Sequence, residues 1–166
     1  MQFVPGPPLV RSRTCGENSS VSTHRRASIN GAGLAMEFDH VGIAVRDLSA
    51  ALERFQATFG PPTTAPETVA GQMVRVVFLS LGSTHLELLE PTEPTSPVGR
   101  FLETRGEGVH HVAFRVPDVD QELRELRGRG LRVVDEVGRP GARGRRVGFA
   151  HPSAFHGTLV EFVEEL

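Results

Sequence analysis

The chain contains no lysine, no tryptophan and no tyrosine among its 166 residues, and only one cysteine, Cys15. Without lysine there is no Schiff-base chemistry, so a mechanism must draw on His, Glu, Asp or a metal. All 18 basic side chains are Arg, as the codon bias of a GC-rich genome gives. A lone cysteine excludes an intramolecular disulfide framework and a thiolate zinc site, and it suits a reducing cytoplasm. The ten Phe serve packing, and the missing Trp and Tyr leave few polar-tipped rings to stack on bases or sugars. A formal charge of −2 and a pI near 6.4 supply no basic field for nucleic acid or an anionic membrane. The expected partners are small molecules, with neither nucleic acid nor membrane involved. No apolar run approaches the roughly 18 residues of a membrane span. The 39% hydrophobic content is enough for one packed domain, or for two half-size modules sharing an interface.

Residues 1–35 stand apart. Pro5-Gly6-Pro7-Pro8 and the Ser/Arg-rich stretch after it, with Glu17 as the only acid, show neither helical nor strand periodicity and read as a disordered extension. Met36, immediately before the first strand, reads as the native start, giving one domain over 36–166. An organelle transit peptide is the alternative, and it would place the mature protein in the mitochondrial matrix.

From Phe38 the pattern is strand, helix, strands, and then the same again. Val41, Ile43 and Val45 alternate with His40, Gly42 and Ala44. Asp47 caps a helix with Leu48, Ala51, Leu52, Phe55 and Phe59 at helical spacing, ending at Gly60-Pro61-Pro62. A short strand over 63–69 and a hairpin of 73–79 with 84–90 follow. A short linking helix falls within 94–108. The second half repeats the order with a strand at 110–116, a helix opened by Pro117-Asp118, and strands at 131–137, 146–150 and 158–163. These are two tandem βαβββ modules, about 38–91 and 109–164, of α+β class.

The repeat holds residue by residue. Asp39-His40-Val41-Gly42-Ile43-Ala44-Val45-Arg46-Asp47-Leu48 aligns with His110-His111-Val112-Ala113-Phe114-Arg115-Val116-Pro117-Asp118-Val119, and Leu86 to Glu90 aligns with Val160 to Glu164. Each half thus opens on a His and closes on a Glu, 47 residues apart in His40/Glu87 and 50 in His111/Glu161. If the halves pair face to face, symmetry brings the four side chains together. Two imidazoles and two carboxylates suit a hard-to-borderline divalent cation such as octahedral Mn, Co, Ni or Fe better than closed tetrahedral zinc. Gly42, Ala44 and Ala113 beside the two His leave a cavity. Taken singly, each of the four is an ordinary strand histidine or solvated edge carboxylate; the duplicated pairing argues for a site, as does Glu161 between Val160 and Phe162, where an unpaired carboxylate is costly.

The segments His40 to Val45, Leu86 to Pro91, Gly106 to Phe114, and His151-Pro152 leading to Gly157 through Glu161 resemble the methylmalonyl-CoA epimerases of the vicinal-oxygen-chelate superfamily. The resemblance runs over about 38–164. It implies the cupped mixed sheet of the glyoxalase fold, a homodimer and a small-molecule acyl-CoA substrate of propionate metabolism. It also implies His40, Glu87, His111 and Glu161 as ligands of a divalent cation, with Co, Mn or Ni favoured. The implied reaction interconverts the (R) and (S) forms of methylmalonyl-CoA by removal and return of the α-proton through an enolate.

Two departures from the family pattern matter. Some members carry a Glu base in the strand aligned with 73–79, where this chain has Val76, and those members often have Gln where this chain has Glu87. The expected proton-transfer pair is therefore Glu87 with Glu161. Ser153 also stands where Lys is common in the family, so one contact to the CoA portion is not carried over. The loop Arg139 to Arg146 offers forked Arg on flexible Gly for phosphate, although such loops are more often simply solvated. His110, His151 and His156 read as structural or supporting. The alternatives are another superfamily isomerase or lyase of the lactoylglutathione-lyase kind, and a metal-free small-molecule-binding module.

Overall fold

The computed structural model describes residues 36–166, so the disorder expected over 1–35, and Cys15 with it, lies outside the described residues. Strand β1 (Glu37–Ala44), helix α1 (Leu48–Phe59) and strands β2 (Glu67–Val69), β3 (Val74–Leu81) and β4 (Thr84–Pro91) form the first module. Helix α2 (Pro97–Arg105) links it to β5 (Gly108–Arg115), α3 (Val119–Gly128), β6 (Arg139–Pro140), β7 (Arg146–Ala150) and β8 (Val160–Glu164). Among the described residues no helix is long and apolar enough to cross a membrane.

Helices α1 and α3 start in the same way because the repeat supplies the same cap twice. Asp47 accepts from the Ala50 N–H at 2.9 Å and Asp118 from the Gln121 N–H at 2.8 Å. Each such cap contributes about 1 kcal/mol. The closing strand of each module adds a second acceptor: Glu90 takes the Leu48 N–H at 3.2 Å, and Glu164 takes the Val119 N–H at 3.0 Å. Both carboxylates satisfy first-turn donors that the helix itself leaves open.

All strands join one sheet in the order β2-β3-β4-β1-β5-β8-β7-β6. Within the modules β1 runs parallel to β4 and β5 parallel to β8, while β1 and β5 pair antiparallel at the centre. The modules therefore meet edge to edge and not face to face, and the four candidate ligands converge because the sheet bends into a half-barrel around them.

Alternation along the strands sorts two layers. Val77, Leu79 and Leu88 face outward with Val45 onto α1, through Leu48, Ala51, Leu52 and Phe55. In the second module Ala150, Val160 and Phe162 face outward onto Val119, Leu123 and Leu126 of α3. Fully burying a Leu such as Leu48 or Leu123 contributes roughly 1.5–3 kcal/mol, so packing of these stripes holds the helices in place. The inner face carries Ala44, Val74, Val76, Phe78 and Leu89 in one half, and Ala113, Val147, Phe149 and Val163 in the other.

The strand expected over 131–137 does not form. Only a single bridge, Val133 to Ala150, remains there, and the short β6 at Arg139–Pro140 takes the edge instead. Asp135 explains the difference, because its carboxylate accepts the Phe149 N–H at 3.0 Å where a neighbouring strand's carbonyl would otherwise sit.

Candidate metal centre

His40 and Glu87 come from β1 and β4, and His111 and Glu161 from β5 and β8, the four central strands of the half-barrel. All four are buried, between 3% and 6% exposed. The two imidazole Nε2 atoms stand 3.0 Å apart. Glu161 Oε2 lies 3.1 Å from Nε2 of His40 and 3.0 Å from Nε2 of His111, and Glu87 Oε2 lies 3.3 and 3.4 Å from the same two atoms. One potential ligand atom from each residue falls within 4.8 Å of all the others. Sequence reasoning thus selected four residues that the fold brings together at one point.

The arrangement fits a cation on three observations. Glu161 Oε2 is buried with no possible donor but the two imidazole Nε2 atoms, so rings that carry their proton on Nδ1 leave it unpartnered, a costly state that metal ligation would relieve. The cavity that the four side chains line, together with Val74, Phe78 and other apolar neighbours, measures about 20 Å³, which admits one ion or one water. The donor set is two nitrogens and two oxygens with no sulfur, suited to a hard-to-borderline divalent ion.

Close approach of the strands is possible because Gly42 has no side chain. The His111 ring occupies the volume a Cβ at 42 would need, since that atom would meet Cε1 and stand 2.5 Å from Nδ1 and 2.6 Å from Nε2. Phe149 and Phe78 fix the two rings by edge contacts, at 5.7 Å to His111 and 5.7 Å to His40.

The residue preceding each candidate ligand histidine also turns inward, which simple alternation does not allow. The β1–β5 register passes from Phe38/Phe114 to His40/Ala113, leaving Asp39 as an extra residue, and from Gly42/His111 to Ile43/Val109, leaving His110 as the other. Asp39 is fully buried and its Oδ1 accepts from His40 Nδ1 at 2.8 Å. It is also held by Arg115 at 2.8 Å and Arg145 at 2.9 Å. His110 Nδ1 lies 3.0 Å from His111 Nδ1. Sequence reading missed Asp39 and left His110 in a general supporting role, because a bulge carries no obvious residue signature.

The charges reinforce one another. Burial opposes ionisation of Asp39, but His40 and the two guanidinium groups win and hold its carboxyl far below the ordinary range. Burial likewise pushes His40 down, while Asp39, Glu161 and Glu87 outweigh it and raise the ring well above its usual value. His111 is raised by Glu161 and Glu87 against the same burial. Burial would raise Glu161, yet His111 and His40 pull it down to about 2, and Glu87 is lowered in the same way. Burial, with the charge of His111, lowers His110 to about 4.

Apolar walls of Val74, Val76, Phe78, Leu89, Val147 and Val163 enclose the ligands. A second cavity of about 300 Å³, lined in part by Met73, Val98, Phe149 and Leu159, adjoins this chamber and shares Gln72, Val74, Leu89 and His111 with it. The loop offered for phosphate is otherwise engaged. Arg139 pairs with Asp135 at 3.0 Å, Arg145 with Asp39 and Glu165, and Arg146 with Asp120 at 2.6 Å. Arg143 lies over the Phe78 ring at 5.2 Å and its backbone N–H reaches Glu67 at 3.1 Å, so the loop clasps the first module. His151 caps the turn Pro152–Phe155, and His156 is an exposed left-handed residue, both apart from the site.

The profile of the Glyoxalase/Bleomycin resistance protein/Dioxygenase superfamily matches residues 39–149. The chain belongs to this superfamily. Its similarity within it runs to epimerases: the ethylmalonyl-CoA/methylmalonyl-CoA epimerase of Cereibacter sphaeroides is 40% identical over 126 residues, 74% of this chain and 93% of that protein. The solved methylmalonyl-CoA epimerase from Mycobacterium tuberculosis gives a TM-score of 0.77 at 34% identity, covering 86% of this chain and 96% of that one. A variant of the Streptomyces coelicolor methylmalonyl-CoA epimerase, in complex with 2-nitronate-propionyl-CoA, gives 0.74 at 40% identity over 78% of this chain and 94% of that one.

Proposed function

We infer that the protein is a metal-dependent epimerase that interconverts the two configurations of methylmalonyl-CoA at the α-carbon. The observation that carries this reading is the convergence of two buried histidines and two buried glutamates on one ion-sized space. It is supported by the kinship with epimerases of C. sphaeroides, M. tuberculosis and S. coelicolor. The nitronate in the S. coelicolor complex has a planar, delocalised α-carbon, the geometry of a thioester that has lost its α-proton.

His40, Glu87, His111 and Glu161 would hold a divalent cation, which would supply positive charge beside the thioester; cobalt, manganese and nickel suit the donor set. The chain's own contribution is proton transfer and exclusion of water. Glu87 and Glu161 both direct Oε2 at the centre, leaving Oε1 of each to accept or return a proton. Their approach from β4 and β8, in opposite modules, supports a two-base arrangement for inversion. Both pKa values are lowered, which favours the carboxylate form that accepts the α-proton; the glutamate that returns a proton must first take one up from solvent. The valines and Phe78 around them keep the chamber dry, which strengthens every charge interaction within it. The adjoining cavity of about 300 Å³ has room for the acyl end and part of the thioester arm of a CoA substrate.

The homodimer that the resemblance implies, and a cytoplasmic setting consistent with one cysteine, complete the proposal. The test is interconversion of methylmalonyl-CoA epimers measured beside isomerisation of the methylglyoxal–glutathione adduct. Turnover of the first alone supports the epimerase. Turnover of the second alone assigns the site to a lactoylglutathione lyase, and metal-free binding without turnover of either assigns a binding module.

A further inference from the structure

We propose that the two β-bulges at the module junction are metal-site devices, each turning the residue before a ligand histidine inward so that it positions the ligand. Asp39 is then the positioning residue for His40, and His110 the one for His111. This inference rests on the metal reading of the site.

In an uninterrupted strand, neighbouring residues point to opposite faces, so Asp39 would leave the cup if His40 entered it. The extra residue in β1 is Asp39 and the extra residue in β5 is His110, the positions that the internal repeat makes equivalent. A bulge re-aims a side chain at the cost of a ladder hydrogen bond. Both bulges yield the same contact, a partner for Nδ1 of the following histidine, at 2.8 Å from Asp39 and 3.0 Å from His110.

That contact fixes which ring nitrogen faces the centre. A neutral imidazole whose Nε2 takes a metal carries its proton on Nδ1, and an acceptor there holds both tautomer and orientation. His40 donates to the anionic Asp39. His111 donates to His110, whose own proton must then sit on Nε2, since two Nδ1 atoms at 3.0 Å share one proton. The two halves therefore solve one problem with different chemistry, an anion in the first and a neutral ring in the second.

Asp39 also ties Arg115 and Arg145 together, so its removal risks the fold; His110 gives the cleaner test. His110→Phe keeps an aromatic ring against Phe101, which now lies 5.0 Å from the His110 ring, and removes only the acceptor. His110→Asn and His110→Asp restore an oxygen where Nδ1 stood, and the second copies the Asp39–His40 pair. Chelator-stripped full-length proteins are titrated with Co(II), read by its d–d absorption and by metal analysis, with thermal melts in parallel. The expected result is a loss of about 10- to 100-fold in Co(II) affinity for His110→Phe, recovery to within a few-fold for Asn and Asp, and similar melting of all four apo-proteins. His110→Phe binding within twofold of the wild type overturns the inference, as does failure of both Asn and Asp to improve on Phe. Absence of stoichiometric Co(II) binding by the wild type overturns the metal reading itself, and this inference with it.

Discussion

Replacing Gly42 by alanine adds one methyl group and no charge, yet it should disable the metal centre. The new Cβ would meet Cε1 of His111 and stand 2.5 Å from Nδ1 and 2.6 Å from Nε2, where ordinary contact begins near 3.4 Å. The ring must retreat by about 1 Å to relieve this. It cannot slide freely, because Nδ1 is tied to His110 and the ring faces are bounded by Phe149 and His40. Metal–ligand distances tolerate only about 0.2 Å, so Nε2 of His111 is lost as a ligand. The expected effects are a Co(II) affinity lowered by more than about 100-fold and a turnover lowered at least as much, since a misplacement of about 1 Å alone costs roughly 10²-fold. Overpacking costs about 1–3 kcal/mol, which leaves the chain folded at room temperature. Circular dichroism, Co(II) titration and epimerisation of methylmalonyl-CoA, run on one preparation, give the answer. A folded Gly42→Ala protein that binds Co(II) with wild-type affinity would refute the packing argument.

Glu87→Gln should keep a ligand oxygen and one metal per chain while lowering α-proton exchange by about 10²- to 10⁴-fold; exchange within tenfold of the wild type would remove Glu87 from proton transfer. Val76 is buried in the same chamber, so Val76→Glu added to Glu87→Gln should regain at least tenfold of the lost exchange, and a folded, metal-loaded double variant no faster than Glu87→Gln would count against the relocation of the base. Co(II) at 100 times its dissociation constant should stabilise the fold by about 2.7 kcal/mol, or roughly 5–10 °C in Tm, reversed by chelator, as calorimetry will show. Burial, with Glu125 nearby, raises the pKa of Glu122, so its ionised form is favoured in the unfolded chain, and stability present in acid is lost as pH rises through the folded pKa. Glu122→Gln should therefore raise Tm at pH 7 by about 1–2 °C with no difference below about pH 4; an equal gain at both pH values would contradict the assignment.

The four converging side chains were legible because duplication made them so. A His in β1 and a Glu in β4 are ordinary taken singly, and only the second copy in β5 and β8 separates them from solvated strand residues. The helices were legible through Asp47 and Asp118, whose capping depends on local geometry alone. The junction of the modules was not, since alternating patterns in β1 and β5 suit stacking and edge pairing equally well. Asp39 and His110 were hidden for a related reason: period-two reasoning assigns them to the wrong face, and only the register reveals the extra residue in each strand. The missing strand at 131–137 shows a side chain competing with the backbone, with Asp135 filling a ladder position that the β-forming Val133 and Val134 claim by composition.

The most direct measurement is deuterium uptake at the α-carbon of a single epimer of methylmalonyl-CoA in D₂O, followed by NMR with the protein stripped of metal and then reloaded with Co(II). Incorporation of one deuteron together with loss of configuration is expected in the reloaded protein, and neither in the stripped one. Equal uptake without metal, or none with it, would contradict a metal-dependent epimerase built on His40, Glu87, His111 and Glu161.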